Sequence, residues 1–189
     1  MEKHHLSRVI EFLDSAERRK AFPPEELLQI LPIKETDNIL DLGAGTGYLA
    51  IPAAKMVNGS VYALDVNPTM LRVIDSKASD ENIKNIQLVQ GNVDDIPLSD
   101  DSVDIVLASL VLHEVSSLSK TLHQIKRVLK KGGYFLCFEY EKTKSATDGP
   151  PMQIRIPSSI MEQELINTGF NITQKLFLAD NLYIFIARK

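Results

Sequence analysis

Apolar positions along the chain follow two alternating periods. Short continuous apolar runs, the pattern of strands buried on both faces, are separated by segments in which apolar residues return every three to four positions. Asn38-Ile39-Leu40-Asp41-Leu42 reads as a first strand running into glycines. Ala50, Ala53, Ala54 and Val57 then share one face of a helix, with Pro52 tolerable only near its first turn. Ser60–Asp65 reads as a second strand. Asn67-Pro68 supplies an N-cap and a favourable first residue for a helix whose apolar stripe is Met70, Leu71 and Ile74. Ile86–Val89 and Val103–Ser109 are two further strands. Leu118, Leu122, Ile125 and Leu129 mark a helix with Lys120, Lys126 and Arg127 on its other face. Lys130 and Lys131 are expected at the negative end of its dipole, and Gly132-Gly133 at its stop. Tyr134–Tyr140 is a fifth strand, and Ser159 with Glu162 predicts a capping box for a helix ending at Gly169. Strands near Ile172–Phe177 and Leu182–Ala187, joined by Ala179-Asp180-Asn181, finish the chain as an antiparallel hairpin.

Strands alternating with helices imply an α/β fold, a doubly wound open sandwich with a mostly parallel sheet covered on both faces. At 189 residues the chain is expected to form a single domain, with residues 37–189 as its core. Within residues 1–36, Val9, Ile10 and Leu13 fit one helical face, Pro23-Pro24 breaks it, and Leu27, Leu28 and Leu31 fit another. This segment is either two helices packed on the domain or a cap that closes over a ligand.

Apolar residues at 44% and charged ones at 24% exclude a disordered or collagen-like chain. The only cysteine, Cys137, excludes an internal disulfide and a cysteine-based zinc site. No apolar run approaches the roughly 20 residues of a membrane-spanning helix. The opening MEKHHLSRVIEFLDS is too polar for a secretory signal, so a cytoplasmic protein is expected. The net charge of −4 argues against a nucleic-acid partner, because binding to phosphates draws on a basic excess.

Ligands of open α/β sheets bind outside the carboxyl ends of the strands. The first strand ends in Asp41-Leu42-Gly43-Ala44-Gly45-Thr46-Gly47, where the three glycines give a tight turn and let a ligand approach the backbone. The spacing is G-x-G-x-G followed by Tyr48, which breaks the dinucleotide fingerprint, and no Gly-Lys-Ser/Thr follows to make a P-loop. Asp41 would repel a pyrophosphate but attract an ammonium group. The second strand ends in Asp65, 22 positions beyond Gly43, where a carboxylate can accept hydrogen bonds from both hydroxyls of a ribose. The expected ligand therefore carries a ribose and a cationic amino acid part, with no need of a phosphate.

DLGAGTGYLA, ALDVNPTM, VQGNVDDIPLSDDSVDIVLAS and VLKKGGYFLCFE stand in the order and spacing of class I S-adenosylmethionine-dependent methyltransferases. The chain resembles the branch that includes the ubiquinone/menaquinone C-methyltransferases, strongly over residues 37–140 and more loosely in the final hairpin. The resemblance implies a Rossmann-like seven-stranded sheet of order 3-2-1-4-5-7-6 with the last strand antiparallel. It implies S-adenosyl-L-methionine as methyl donor, S-adenosyl-L-homocysteine as product, and a small-molecule acceptor. By that resemblance Asp41 orients the methionine ammonium, and Gly43, Ala44, Gly45 and Gly47 form the loop beneath the methionine moiety. Asp65 is matched to the ribose-binding acid, Val66 packs on the adenine, and Asn92 and Val93 read the adenine edge. Relatives commonly carry aspartate where Asn92 stands, and the amide oxygen of Asn92 can accept the same bond. Ser109 and Leu110, where the fourth strand ends, align with backbone contacts to the methionine end.

Methyl transfer from a sulfonium is a direct displacement in which the cofactor carries the reactive group. Orientation of the acceptor can lower such a barrier by about 7–11 kcal/mol in favourable cases. A base is needed only when the acceptor must lose a proton. The candidate is His113, just beyond the fourth strand, with an unperturbed pKa suited to proton transfer near neutrality; its alternative role is to shape the pocket or cap a loop. Glu114, facing solvent, and Glu139, touching the acceptor from the end of the fifth strand, are secondary candidates, whereas His4, His5 and His123 are set aside. No Asn/Asp-Pro-Pro-Tyr/Phe follows the fourth strand, which argues against the adenine-N6 and glutamine-amide branches. No acidic pair of the catechol type is evident, so a metal-independent enzyme is expected. Residues 141–157 either cover a substrate or form a plain surface connection. Two other readings are kept: a non-catalytic S-adenosylmethionine-binding module, and an NAD-dependent oxidoreductase.

Overall fold

The computed structural model describes residues 10–11, 13–143, 149–178 and 181–189; the expectations for His4, His5, Val9 and the linker residues Ala179 and Asp180 lie outside the described residues. Seven strands form one sheet in the order β3-β2-β1-β4-β5-β7-β6, as the family resemblance implies. The chain divides into two compact units, Met1–Asn92 and Val93–Lys189.

In the first unit, β1 (Ile39–Leu42) lies parallel to β2 (Val61–Asp65), and β2 parallel to β3 (Ile86–Gln90). All four residues of β1 are buried, whereas Gln87, Leu88 and Gln90 of β3 are exposed, as suits an edge strand. Helices α1 (Ala16–Ala21) and α2 (Pro24–Gln29) precede β1; Leu27, Leu28 and Leu31 are buried, as the apolar spacing predicts. Helix α3 (Ala50–Met56) buries Ala50, Ala53 and Ala54 and holds Pro52 within its first turn. Helix α4 (Pro68–Asp80) starts as its sequence requires: the Asn67 side chain accepts from Thr69 N at 2.9 Å, and Pro68 occupies the first helical position.

In the second unit, β4 (Val103–Ser109) runs parallel to β5 (Leu129–Tyr140), and β7 (Leu182–Arg188) is antiparallel to both β5 and β6 (Asn171–Leu178). Phe135, Phe138, Tyr183 and Phe185 fill its core and are at most 1% exposed. Two helices, α5 (Leu118–Val128) and α6 (Ser158–Asn167), pack their buried residues against it.

Two local expectations are corrected. Helix α5 ends at Val128 rather than at Gly132-Gly133, because Leu129 already pairs with Val103 and opens β5. The ladder then jumps from Val103–Leu129 to Ile105–Tyr134, which leaves Lys130 to Gly133 as a bulge. Lys130 therefore bonds Asp104 at 2.8 Å instead of facing a helix end, and Lys126 and Arg127 fill the last turn. Gly133 is required by close approach: a Cβ there would lie 2.7 Å from Asp104 O. The capping box at Ser159 and Glu162 is also absent. Helix α6 starts two residues earlier, with Pro157 in the cap position and Ser158 as its first residue, whose N–H donates to the carboxylate of Glu141, at 3.1 Å to Oε1 and 3.3 Å to Oε2. Glu162 instead bonds Lys175 at 2.5 Å. The C-terminus of α6 follows expectation: Gly169 has φ +81°, with Gly169 N donating to Ile166 O and Phe170 N to Leu165 O.

Candidate active site

The turn after β1 is built from left-handed glycines: Gly43, Gly45 and Gly47 have φ of +61°, +52° and +84°, a region L side chains avoid. Ala44 N donates to Leu64 O, and Gly47 N to Ala44 O, which closes the turn on the end of β2. Gly47 also marks a close packing point, since a Cβ there would sit 3.0 Å from Ile51 Cγ1 and 3.2 Å from Ile74 Cγ1. The carboxylate of Asp65 ties the two strand ends together. Its Oδ2 accepts from Gly45 N at 2.9 Å and its Oδ1 from Asn67 N at 2.8 Å. A carboxylate oxygen has two acceptor positions, so each keeps one for a ligand hydroxyl. Beside Asp65, Val66 is 62% exposed, an apolar side chain open to a flat ligand, while Asp41 is buried within β1.

The N-terminal segment is fastened to this turn. Asp14 Oδ1 accepts from Thr46 Oγ1 at 2.7 Å and from Lys77 Nζ at 2.6 Å, and Lys77 Nζ also donates to Thr46 O at 2.8 Å. The hydroxyl of buried Tyr48 donates to Phe22 O. Tyr48, which stands where a dinucleotide site needs its third glycine spacing, is thus a structural residue.

Within the second unit, a short segment follows β4. Ser109 Oγ is buried with no hydrogen-bond partner, and Leu110 adopts φ +56°, unusual for a residue with a side chain. Leu110 N donates to Phe138 O at 2.8 Å. A 3₁₀ turn, Leu112–Glu114, follows. His113 lies in it with its side chain 6% exposed, and its Nδ1 is 2.8 Å from Oε2 of Glu139 on β5. The other oxygen of Glu139, Oε1, accepts from Leu112 N at 2.7 Å. Burial draws the imidazole toward its neutral form, but the bond to Glu139 and the charges of Glu139 and Glu114 outweigh it. The pKa of His113 is raised above the ordinary 6.5, against an opposing contribution from Arg155.

Sequence reasoning treated Glu139 as a group that touches the acceptor, whereas the structure turns it inward onto His113. Asp94, which it passed over, accepts from Ser116 Oγ at 2.5 Å and from Thr121 Oγ1, fixing the start of α5. Asn92 is exposed and Val93 half-buried, at the end of one unit and the start of the other. Exposed His123 bonds Ser119 O within its own helix, in line with setting it aside.

An open α/β sheet with an acid-closed glycine turn after its first strand defines a class of protein that binds nucleoside-containing ligands. The chain belongs to the methyltransferase domain family, whose profile matches residues 40–137. Over 113 residues it is 35% identical to the ubiquinone/menaquinone biosynthesis C-methyltransferase UbiE of Proteus mirabilis, covering 58% of this chain and 45% of that protein. The chain thus spans less than half the length of that relative. A crystal structure of a SAM-dependent methyltransferase from Aquifex aeolicus superimposes with a TM-score of 0.87 at 28% identity, covering 96% of this chain and 97% of the other. The cyclase SpnF shares the fold alone, with a TM-score of 0.79 at 18% identity over 88% of this chain and 79% of its own. The fold therefore does not fix the reaction.

Proposed function

We propose that the protein is an S-adenosylmethionine-dependent methyltransferase acting on a small-molecule acceptor. The observation that carries the reading is the closure of the glycine turn by the acid of the next strand, with Gly45 N bonded to Asp65 Oδ2. The residues fit the donor. Asp65 would accept from the ribose hydroxyls, exposed Val66 would pack on the adenine, and Asn92 and Val93 would read its edge. Asp41 would orient the ammonium above Gly43, Ala44, Gly45 and Gly47, and Ser109 and Leu110 would contact the methionine end, where the orphaned Ser109 hydroxyl is available. When bound, the donor supplies an electrophilic methyl group on a sulfonium. His113 would be the base that removes a proton from the acceptor.

The reaction is read as metal-independent because the sequence carries no acidic pair of the catechol type. No described helix is long and apolar enough to cross a membrane. The net charge of −4 favours a small-molecule partner over nucleic acid. The reading treats residues 1–189 as one catalytic domain with residues 1–36 as its cap, consistent with the Asp14 contacts to Thr46 and Lys77.

The test is calorimetric titration of the folded protein with S-adenosylmethionine, S-adenosylhomocysteine and NADH. Binding of the first two and not the third is expected. A folded protein that binds neither sulfur nucleoside overturns the reading, and binding of NADH alone restores the oxidoreductase. Binding with no transfer of a labelled methyl group to any acceptor would leave the non-catalytic module.

A further inference from the structure

Strand β5 is buried along Phe135, Leu136, Cys137 and Phe138, and Glu139 continues that run with its side chain only 1% exposed. A carboxylate in such surroundings is tolerated only when hydrogen-bonded. Both oxygens of Glu139 are engaged by the turn after β4, Oε1 by Leu112 N at 2.7 Å and Oε2 by His113 Nδ1 at 2.8 Å. An ionised carboxylate can only accept, so the proton in the second contact belongs to Nδ1. The same segment is anchored a third time where Leu110 N donates to Phe138 O, from a left-handed backbone that a leucine adopts only when its surroundings impose it. The opposite ring nitrogen has a different outlook. Nε2 is 3.9 Å from Oε1 of Glu114, beyond hydrogen-bond reach, and Glu114 is 71% exposed.

We propose that Glu139 is a positioning residue that holds His113 as the Nδ1–H tautomer, leaving the Nε2 lone pair as the proton acceptor of the site. The proposal rests on the methyltransferase reading for its use, though not for its geometry. A base fixed in this way serves an acceptor that sheds a proton on methylation. His113 Nε2 would take that proton and become an imidazolium facing Glu139, while the acceptor's freed electron pair would bond the methyl carbon and the donor, when bound, would keep the electron pair of its methyl–sulfur bond. Three charged groups bear on the ring: Glu139 from β5, Glu114 from the same turn and Arg155 from the segment after β5. The two acids prevail over Arg155 and over burial in raising its basicity.

The test is nitrogen NMR of protein labelled with ¹⁵N-histidine, on the full chain and on the variant Glu139→Gln. Above the titration of His113, a protonated Nδ1 and an unprotonated Nε2 are expected. In Glu139→Gln the pKa should fall by about one to two pH units, the equivalent of one charge-assisted hydrogen bond. A protonated Nε2 in the unaltered protein, or a titration unmoved by Glu139→Gln, overturns the proposal. Should the variant not fold, the tautomer of the unaltered protein decides alone. S-adenosylhomocysteine affinity, measured on the same samples, separates the two levels. Failure of the tautomer with binding intact sinks only this proposal, whereas loss of binding in the unaltered protein sinks the methyltransferase reading.

Discussion

Removing the Asp65 carboxylate tests whether the strand-end acid binds ligand or only closes the turn. In the free protein its two oxygens accept from Gly45 N and Asn67 N, at 2.9 and 2.8 Å. Asp65→Ala orphans both amides. Asp65 is only half-buried, so water can recover part of that loss, and we expect the fold to lose about 1 kcal/mol. Ligand binding should suffer more. Bonds from ribose hydroxyls to an ionised acceptor contribute about 1.5–3 kcal/mol, so S-adenosylhomocysteine affinity should fall roughly 10- to 150-fold. Asp65→Asn divides the two roles. Its single carbonyl oxygen can serve one of the two backbone amides, so stability should fall less than in Asp65→Ala. Its NH₂ group cannot accept from a hydroxyl, so affinity should still drop at least tenfold. Urea denaturation gives the first quantity and calorimetry the second. An unchanged dissociation constant in folded Asp65→Ala would refute the ribose assignment and leave Asp65 as a clasp for the glycine turn.

Two further substitutions probe the frame around the site. Gly47→Ala combines a left-handed backbone, φ +84°, with a Cβ only 3.0 Å from Ile51 Cγ1. The strain of about 1–2 kcal/mol and the crowding of about 1–3 kcal/mol should together lower unfolding stability by about 2–5 kcal/mol in urea denaturation; a loss under about 1 kcal/mol would contradict both terms. Asp94 has a pKa held below the ordinary 3.8 by the hydroxyls of Ser116 and, second, Thr121, against the effect of burial. Because the folded value is the lower one, its stabilisation is complete above the unfolded pKa and disappears as pH falls through the folded pKa. Melting temperatures followed from about pH 6 to about pH 2 should therefore drop less steeply below pH ~4 in Asp94→Asn than in the unaltered protein, and parallel curves would exclude that contribution.

The amino-acid sequence makes short-range interactions legible and long-range ones far less so. Asn67-Pro68 specifies its helix start through contacts within two residues, and Gly169 its helix end within five; both hold in the structure. The strand order could not come from periodicity, which is blind to which strands pair, and was supplied by family resemblance. The two failures share a cause. Lys130-Lys131-Gly132-Gly133 is locally a good helix end, but pairing of Leu129 with Val103 converts it to a strand bulge. Ser159 and Glu162 have capping-box spacing, but Glu141, 17 residues before Ser158, already receives that helix's first amide. Tertiary contacts overrode local signals of modest strength.

The same logic explains why the glycine turn was legible and the His113 pair was not. A backbone that must turn left-handed selects glycine, so Gly43, Gly45 and Gly47 announce their geometry one residue at a time, and Asp65 stands at a fixed distance because one helix separates two parallel strands. His113 and Glu139 are 26 residues apart, joined only because β4 and β5 run side by side in register, Ser109 opposite Phe138. One trace of the pair was nevertheless present in the chain. Leu136-Cys137-Phe138-Glu139 places an acid inside a run that reads as buried on both faces, and a buried carboxylate requires a donor. The parallel neighbour of that strand ends four residues before a histidine. An isolated acid at the carboxyl end of an otherwise apolar parallel strand therefore points to a donor just beyond the adjacent strand's end, and here that donor is His113.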